Sequence, residues 1–172
     1  LVKAFGEIRA VSAVYSHLVP RGPRPDGAPY EAAEDAALLL LEFENGATGS
    51  IHTTSLAHEP GPFGQRHQMD FHGSGGTLRS DCDWLTVQRL DGQRADEAEP
   101  HPIEVPDRIW GGARRDTVHN TYRDVFRTQD AMTRRFVRAV AEGEAIAPSF
   151  ADGLAVQHVL EAADRSARQG RR

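Results

Sequence analysis

Residues 34–55, EDAALLLLEFENGATGSIHTTS, decide the fold. The run reads as two strands around a tight turn. Ala37, Leu39, Leu41 and Phe43 alternate on one side of the first strand, while Ala36, Leu38 and Leu40 occupy the other before giving way to Glu42 and Glu44. Asn45-Gly46 is a strong hairpin signal, because a type I′ turn needs positive φ at both central residues. The return strand, 47–55, sets Ile51 against Ser50, His52 and Thr54. A two-residue turn pairs Leu40 with Ile51 and so puts Ile51 on the face opposite Leu39 and Leu41. A longer turn returns Ile51 to their side, and both registers stay open.

Outward from the hairpin, 7–19 (EIRAVSAVYSHLV) is β-branched and small with no helical period, and reads as a strand. Residues 20–29 carry four prolines and read as loop. A short strand is expected at 67–72, a turn at 73–76, further strands at 77–80 and 84–90, and an edge strand at 102–106. Segment 107–120 has no period and is expected on the surface. A first helix is expected from Thr121, capped by Thr121 and Asp124, with Val125, Met132, Phe136, Val137 and Val140 on its buried face and Gly143 at its end. Ser149 and Asp152 form a second capping box before a helix at 150–169. Strands followed by helices predict an α+β fold: a single domain, 1–172, with a largely antiparallel open sheet and two C-terminal helices packed on one face. Leu39, Leu41, Phe43, Ile51, Phe136, Val140, Val159 and Leu160 are the expected core.

The chain has 172 residues, ample for a core, and a net charge of −5, which argues against a nucleic-acid surface. A single cysteine, Cys82, excludes an internal disulfide and a multi-cysteine metal site. No apolar run approaches a membrane span and no signal peptide is visible, so a cytoplasmic location without membrane partners is expected. The abrupt opening without Met, at LVKAFG, is how a piece of a longer chain looks.

The candidate chemistry is sparse. HGSGGTL at 72–78 matches only the first two glycines of a dinucleotide fingerprint, has Leu78 at the third position and runs into a strand, which makes it a hairpin turn. The eight histidines include no i, i+4 pair on a helix, so no metal ligand set is expected. There is no G-x-S-x-G elbow. Asp70, Asp81 and Asp83 are close enough in sequence to be a carboxylate pair, but acids near turns are mostly solvated. Arg114-Arg115 and Arg171-Arg172 read as solvated surface.

Three motifs, in order, carry a resemblance: EDAALLLLEFENGATGSIHTT, MDFHGSGGTLRSD, and FVRAVAEGEAIAPSFADGLAVQHVLEAADRSARQG. Together they resemble the C-terminal domain of the Gfo/Idh/MocA oxidoreductases, the glucose–fructose oxidoreductase and inositol dehydrogenase family, over residues 5–169. The resemblance implies a longer enzyme with an N-terminal Rossmann domain that binds NAD or NADP. Hydride transfer would act on a sugar, cyclitol or related polyol. The family's catalytic lysine and its Asp/His pair lie upstream of Glu7. Lys3 is the only lysine and lacks the E-K-P context, so this chain is expected to hold no catalytic residue, bind no cofactor and be inactive alone. The resemblance also implies substrate-facing positions at Gln65, Arg66 and His67, and at Trp110, His119 and Tyr122. It points, with the uncovered Leu38 and Leu40, to a homodimer or dimer of dimers through the open sheet face. The alternative is a stand-alone non-catalytic binding or scaffold module of the same fold; a metal hydrolase would need a histidine spacing that is not there.

Overall fold

The computed structural model of the chain describes residues 5–57, 65–84 and 88–170. Its strands are antiparallel and its helices follow them, the α+β arrangement the sequence predicts. The strands fall into two sheets rather than one. The chain divides accordingly into two compact units, Leu1–Ala57 with Ala147–Arg172, and His58–Ile146.

The first unit holds a three-stranded sheet ordered β1-β2-β3, from β1 (Ile8–Ser16), β2 (Ala36–Phe43) and β3 (Thr48–Thr54). The hairpin settles the register. The Phe43 amide donates to the Ala47 carbonyl and the Gly46 amide to the Phe43 carbonyl, leaving a three-residue loop, 44–46, with Gly46 at φ 84°. That is a turn closed by a left-handed glycine, not a two-residue type I′ turn. Leu39 therefore pairs with Ile51, and Ile51 packs at the margin of the Leu39, Leu41 and Phe43 core. Val11 and Ala13 of β1 complete it from the other side of β2, opposite Leu41 and Leu39. The long C-terminal helix α4 (Phe150–Gln169) lies on β1. Its Ala163 is fully buried, and the amide of Ala13 donates to Ser166 Oγ at 3.0 Å. The Ser149–Asp152 capping box is present in both directions, and Gly170 ends the helix in the left-handed region. Asp35, buried, fastens the start of the following loop by accepting from the amides of Leu18 and Val19 and from Arg21. These donors, the Val19 amide foremost, hold its pKa down at about 2.

The second unit holds a four-stranded sheet ordered β4-β5-β6-β7: β4 (Arg66–Gly73), β5 (Gly76–Asp83), β6 (Arg89–Arg94) and β7 (His101–Pro102). Of the strand expected at 102–106 only this last bridge forms. Four helical pieces follow: α1 (Asp107–Trp110), α2 (Val118–Arg123), a π-helical turn (Asp124–Thr128) and α3 (Ala131–Glu142). The first helix starts at Val118, not Thr121, because Thr117 is the cap: its backbone is extended and its Oγ accepts from the Asn120 amide. Thr121, one turn in, donates instead to the Arg114 and Thr117 carbonyls. Nor does the helix run unbroken to 142, since Asp130 takes φ 50° before α3.

The core expectation fails at three positions. Phe136, Val140 and Leu160 are exposed, the first two at 56% and 66%. An apolar stripe on a helix shows that a face is to be covered, not by what. Phe136 and Val140 lie on α3, in the unit that does not contain the Leu39 core. Among the described residues no helix is long and apolar enough to cross a membrane.

Candidate functional site

Within the second unit a cavity of about 310 Å³ opens where the end of the β4–β5 hairpin meets α1 and α2. Its floor is a cross-strand pair, His67 on β4 and Cys82 on β5. Strand alternation puts both on one face, with Arg66, Gln68 and Asp81 on the other. Trp84 follows directly as β5 ends, tied back by its amide to the Gln65 carbonyl at 3.4 Å. Thr117 starts α2, and helical spacing then brings Val118, Thr121 and Tyr122 to the cavity on one side. The wider π turn, closed by the Gln129 amide on the Asp124 carbonyl, adds Val125 and Phe126.

The rings form one connected wall. Trp84 and Tyr122 have centroids 5.4 Å apart, and Tyr122 and Phe126 4.6 Å. Contacts of this kind add about 0.5–1.5 kcal/mol each beyond burial. Trp110 closes the cavity from α1 and is held at three points. Its indole N–H donates to the Val105 carbonyl at 2.9 Å, the Gln129 amide group donates to its own carbonyl at 3.1 Å, and the Arg115 guanidinium lies 5.1 Å from its ring centroid. Gly111 makes the Gln129 contact possible: it sits at φ 59°, and a Cβ there would come within 2.8 Å of the Gln129 side-chain oxygen. Behind this wall Arg114 donates through its backbone, Nε and Nη2 to the carboxylate of Asp124, whose pKa these bonds hold down at about 2. Arg114 and Arg115 are on the surface, as the sequence reading expects, and each is paired there, Arg114 with Asp124 and Arg115 with Asp107.

Of the six positions singled out in the sequence, the cavity brings together three: His67, Trp110 and Tyr122. His119 stands behind Trp84, ring centroids 6.0 Å apart, with its amide donating to the Trp84 carbonyl. Arg66 points to the opposite face of the hairpin, where it donates to Asp81 at 2.8 Å and lowers that carboxyl's pKa. Gln65 is exposed and does not line the cavity. The sequence reading missed Trp84, Cys82 and Phe126. Tyr122 and Phe126 are four apart after a capping threonine, a signal that was available; the approach of Trp84 to them depends on the hairpin and has no local signature.

Among the described residues no arginine, lysine, aspartate or glutamate lines the cavity. Burial, then the nearby Asp81 and Asp83, push the Cys82 thiol's pKa up, so it is a poor nucleophile at neutral pH. Among the described residues no group of three or more His, Cys, Asp or Glu is placed to hold a metal. A nicotinamide dinucleotide does not fit the one glycine-rich turn: 73–76 joins β4 to β5, pairing Gly73 with Gly76, and no helix N-terminus follows to receive a pyrophosphate. A second cavity, about 380 Å³, lies in the first unit around Tyr15, His17, Glu31 and Asp164; its Arg168 is already bonded to Asp164 and Glu31.

Comparison with known proteins gives the wider frame. The model of the oxidoreductase family's C-terminal alpha/beta domain (Gfo/Idh/MocA) matches residues 4–172. A D-apiose dehydrogenase of Rhizobium rhizogenes is 31% identical over 147 residues, covering 83% of this chain and 38% of that protein. Levoglucosan dehydrogenase, solved with NADH and levoglucosan, superposes with a TM-score of 0.71 at 24% identity, over 96% of this chain and 44% of that one. The WlbA dehydrogenase of Bordetella pertussis, solved with NADH and UDP-GlcNAcA, superposes at 0.61 with 25% identity, over 99% of this chain and 42% of that one. The chain thus spans less than half the length of these relatives. Its residues 4–172 belong to the Gfo/Idh/MocA oxidoreductase family, as the family's C-terminal alpha/beta domain.

Proposed function

We propose that the chain is the substrate-binding and oligomerisation domain of an NAD(P)-dependent oxidoreductase acting on a sugar, cyclitol or related polyol. The observation that carries this reading is the aromatic cavity, in which His67, Trp110 and Tyr122 converge from three different elements. Flat rings beside a few neutral hydrogen-bonding groups suit the C–H faces and hydroxyls of a saturated ring. The D-apiose dehydrogenase relative and the NADH held by the similar structures support dehydrogenase chemistry with NAD or NADP. The dinucleotide would be bound by a part of the longer enzyme outside residues 4–172, and the enzyme would work in the cytoplasm. The exposed apolar stripe of α3 (Met132, Phe136, Val137, Val140) is consistent with a surface covered by that part.

The oligomer follows from the open face of the first sheet. Val14, Leu38 and Leu40 are exposed there, Leu40 at 56%, with Val14 paired to Leu38. Keeping such side chains wet forgoes roughly 1.5–3 kcal/mol apiece. A second copy packed on this face recovers it, giving a homodimer or dimer of dimers. Light scattering is expected to give at least twice the 18.9 kDa chain mass, with Leu40→Glu shifting it toward monomer.

The test of the activity is to express the reading frame that carries this chain and follow nicotinamide reduction with D-apiose, levoglucosan and myo-inositol. Turnover by the whole protein and none by the 172-residue chain is the expected result. No turnover across the panel, or turnover by the chain alone, overturns the proposal.

A further inference from the structure

We infer that the aromatic cavity takes an uncharged cyclic polyol and rejects the phosphorylated or carboxylated form of the same ring. This rests on the reading of the cavity as the substrate wall. Membership of the family leaves the ligand's charge open, because levoglucosan is neutral and UDP-GlcNAcA is strongly anionic.

Three observations decide it for this chain. First, the cavity wall offers an anion no counter-charge: no arginine or lysine lines it among the described residues, and an unpaired buried charge is costly. Second, three of the nearby arginines are engaged. Arg66 holds Asp81 on the far face of the hairpin, Arg114 holds Asp124, and Arg115, although it lies over Trp110, donates to Asp107. Turning Arg66 or Arg114 inward would strand a partly buried carboxylate. Third, the field at the floor has the wrong sign for an anion. Asp81 and Asp83 flank Cys82; burial first, and then their charge, raises the thiol's pKa, and that charge disfavours a phosphate or carboxylate beside it. What the walls do offer is Thr121, Gln88 and the His67 ring, among the faces of Trp84 and Tyr122. At about 310 Å³ the space lies at the small end of ligand pockets, roughly 300–1,000 Å³, which suits one ring and not a nucleotide-sugar.

The chain carries its own reporters. Its only two tryptophans, Trp84 and Trp110, and its only cysteine, Cys82, all line this cavity. The experiment titrates the chain with glucose, myo-inositol and levoglucosan, and in parallel with glucose 6-phosphate and glucuronate, the charged forms of the glucose ring. It reads tryptophan emission and the rate of Cys82 alkylation by an uncharged maleimide. Saturable emission change and protection of Cys82 by the neutral rings, at least about tenfold weaker with the charged ones, is expected, with the emission change lost in Trp110→Phe. A charged ring that protects as well as or better than its neutral counterpart overturns the inference and leaves the cavity as a sugar site. Protection by indole or phenol with none by any sugar overturns the inference together with the reading it rests on.

Discussion

Replacing Ser166 with Ala isolates a single interaction that joins α4 to the sheet. β1 is an edge strand, so the Ala13 amide has no strand partner on its open side; it donates to Ser166 Oγ at 3.0 Å, and both residues are buried, Ser166 at 5% exposure. Alanine fits the same space, so no cavity enters the balance. It leaves a buried amide without a partner, at about 1–3 kcal/mol. Alanine's better helix propensity returns up to about 0.5 kcal/mol. A net loss near 1.5 kcal/mol is expected, which for a chain of this length is roughly 3–6 °C in Tm. Urea unfolding gives the free energy, and hydrogen exchange should show the Ala13 amide losing protection ahead of its neighbours on β1. Ser50→Ala on the exposed face of β3 is the control and should stay within about 0.5 kcal/mol of the parent. A Ser166→Ala protein as stable as the parent, with Ala13 still protected, refutes the reasoning: water would then be satisfying the amide and α4 would be held by Ala163 packing alone.

Leu41→Ala, at a site 2% exposed in the centre of the first sheet, should cost about 2–5 kcal/mol by urea unfolding. Phe136→Ala, on the exposed face of α3, should leave the isolated chain within about 0.5 kcal/mol of the parent; a loss of several kcal/mol would show that this face is covered within the chain. Asp35 and Asp124 are held at about pKa 2 against roughly 3.9 in an unfolded chain. A carboxyl whose pKa is depressed on folding adds stability above its unfolded value and loses it as pH falls through the folded one. Stability is therefore expected to decline between about pH 4 and pH 2, and Asp35→Asn should lower stability at neutral pH while flattening that decline. Gln129→Ala removes the donor to the Trp110 and Gly111 carbonyls and should raise the rate of Cys82 alkylation, because Trp110 is then held by fewer contacts; an unchanged rate would mean that Gln129 does not position this wall.

The sequence reported the fold wherever the cause is local. Alternation in 36–43 marked the buried and exposed faces of β2 correctly, with Leu39 and Leu41 inside and Leu38 and Leu40 out. The Ser149–Asp152 box and the glycines at 143 and 170 set helix ends where the structure has them. The hairpin register was beyond a dipeptide signal. Asn45-Gly46 serves both a two-residue turn and a three-residue turn with a left-handed glycine, and the Ala47 carbonyl accepting from Phe43 selects the second. The division into two sheets was hidden for a similar reason. Each strand looks alike in isolation, and only the hydrogen-bonded pairing in the fold separates β3 from β4, which share no ladder among the described residues.

The site was legible in proportion to how much of it lies on one element. Tyr122 and Phe126 belong to a single helical turn and its π extension, and their spacing is written in the sequence. Trp84 and Trp110 reach the same cavity from the end of a hairpin and from a four-residue helix, and no period links them. Resemblance supplied Trp110, His67 and Tyr122, but not which neighbour faces with them. That selection is made by strand alternation, which turns Arg66 away from the cavity when it turns His67 toward it, and by the Arg114–Asp124 bond, which ties a guanidinium to the carboxylate at the start of the π turn. A sequence rich in arginine around 108–127 reads as a cationic surface. Folded, the two arginines beside the wall are paired with carboxylates, and among the described residues no arginine or lysine lines the cavity. The chemistry this domain can recognise is thus set less by the residues it contains than by which of them the fold has already paired.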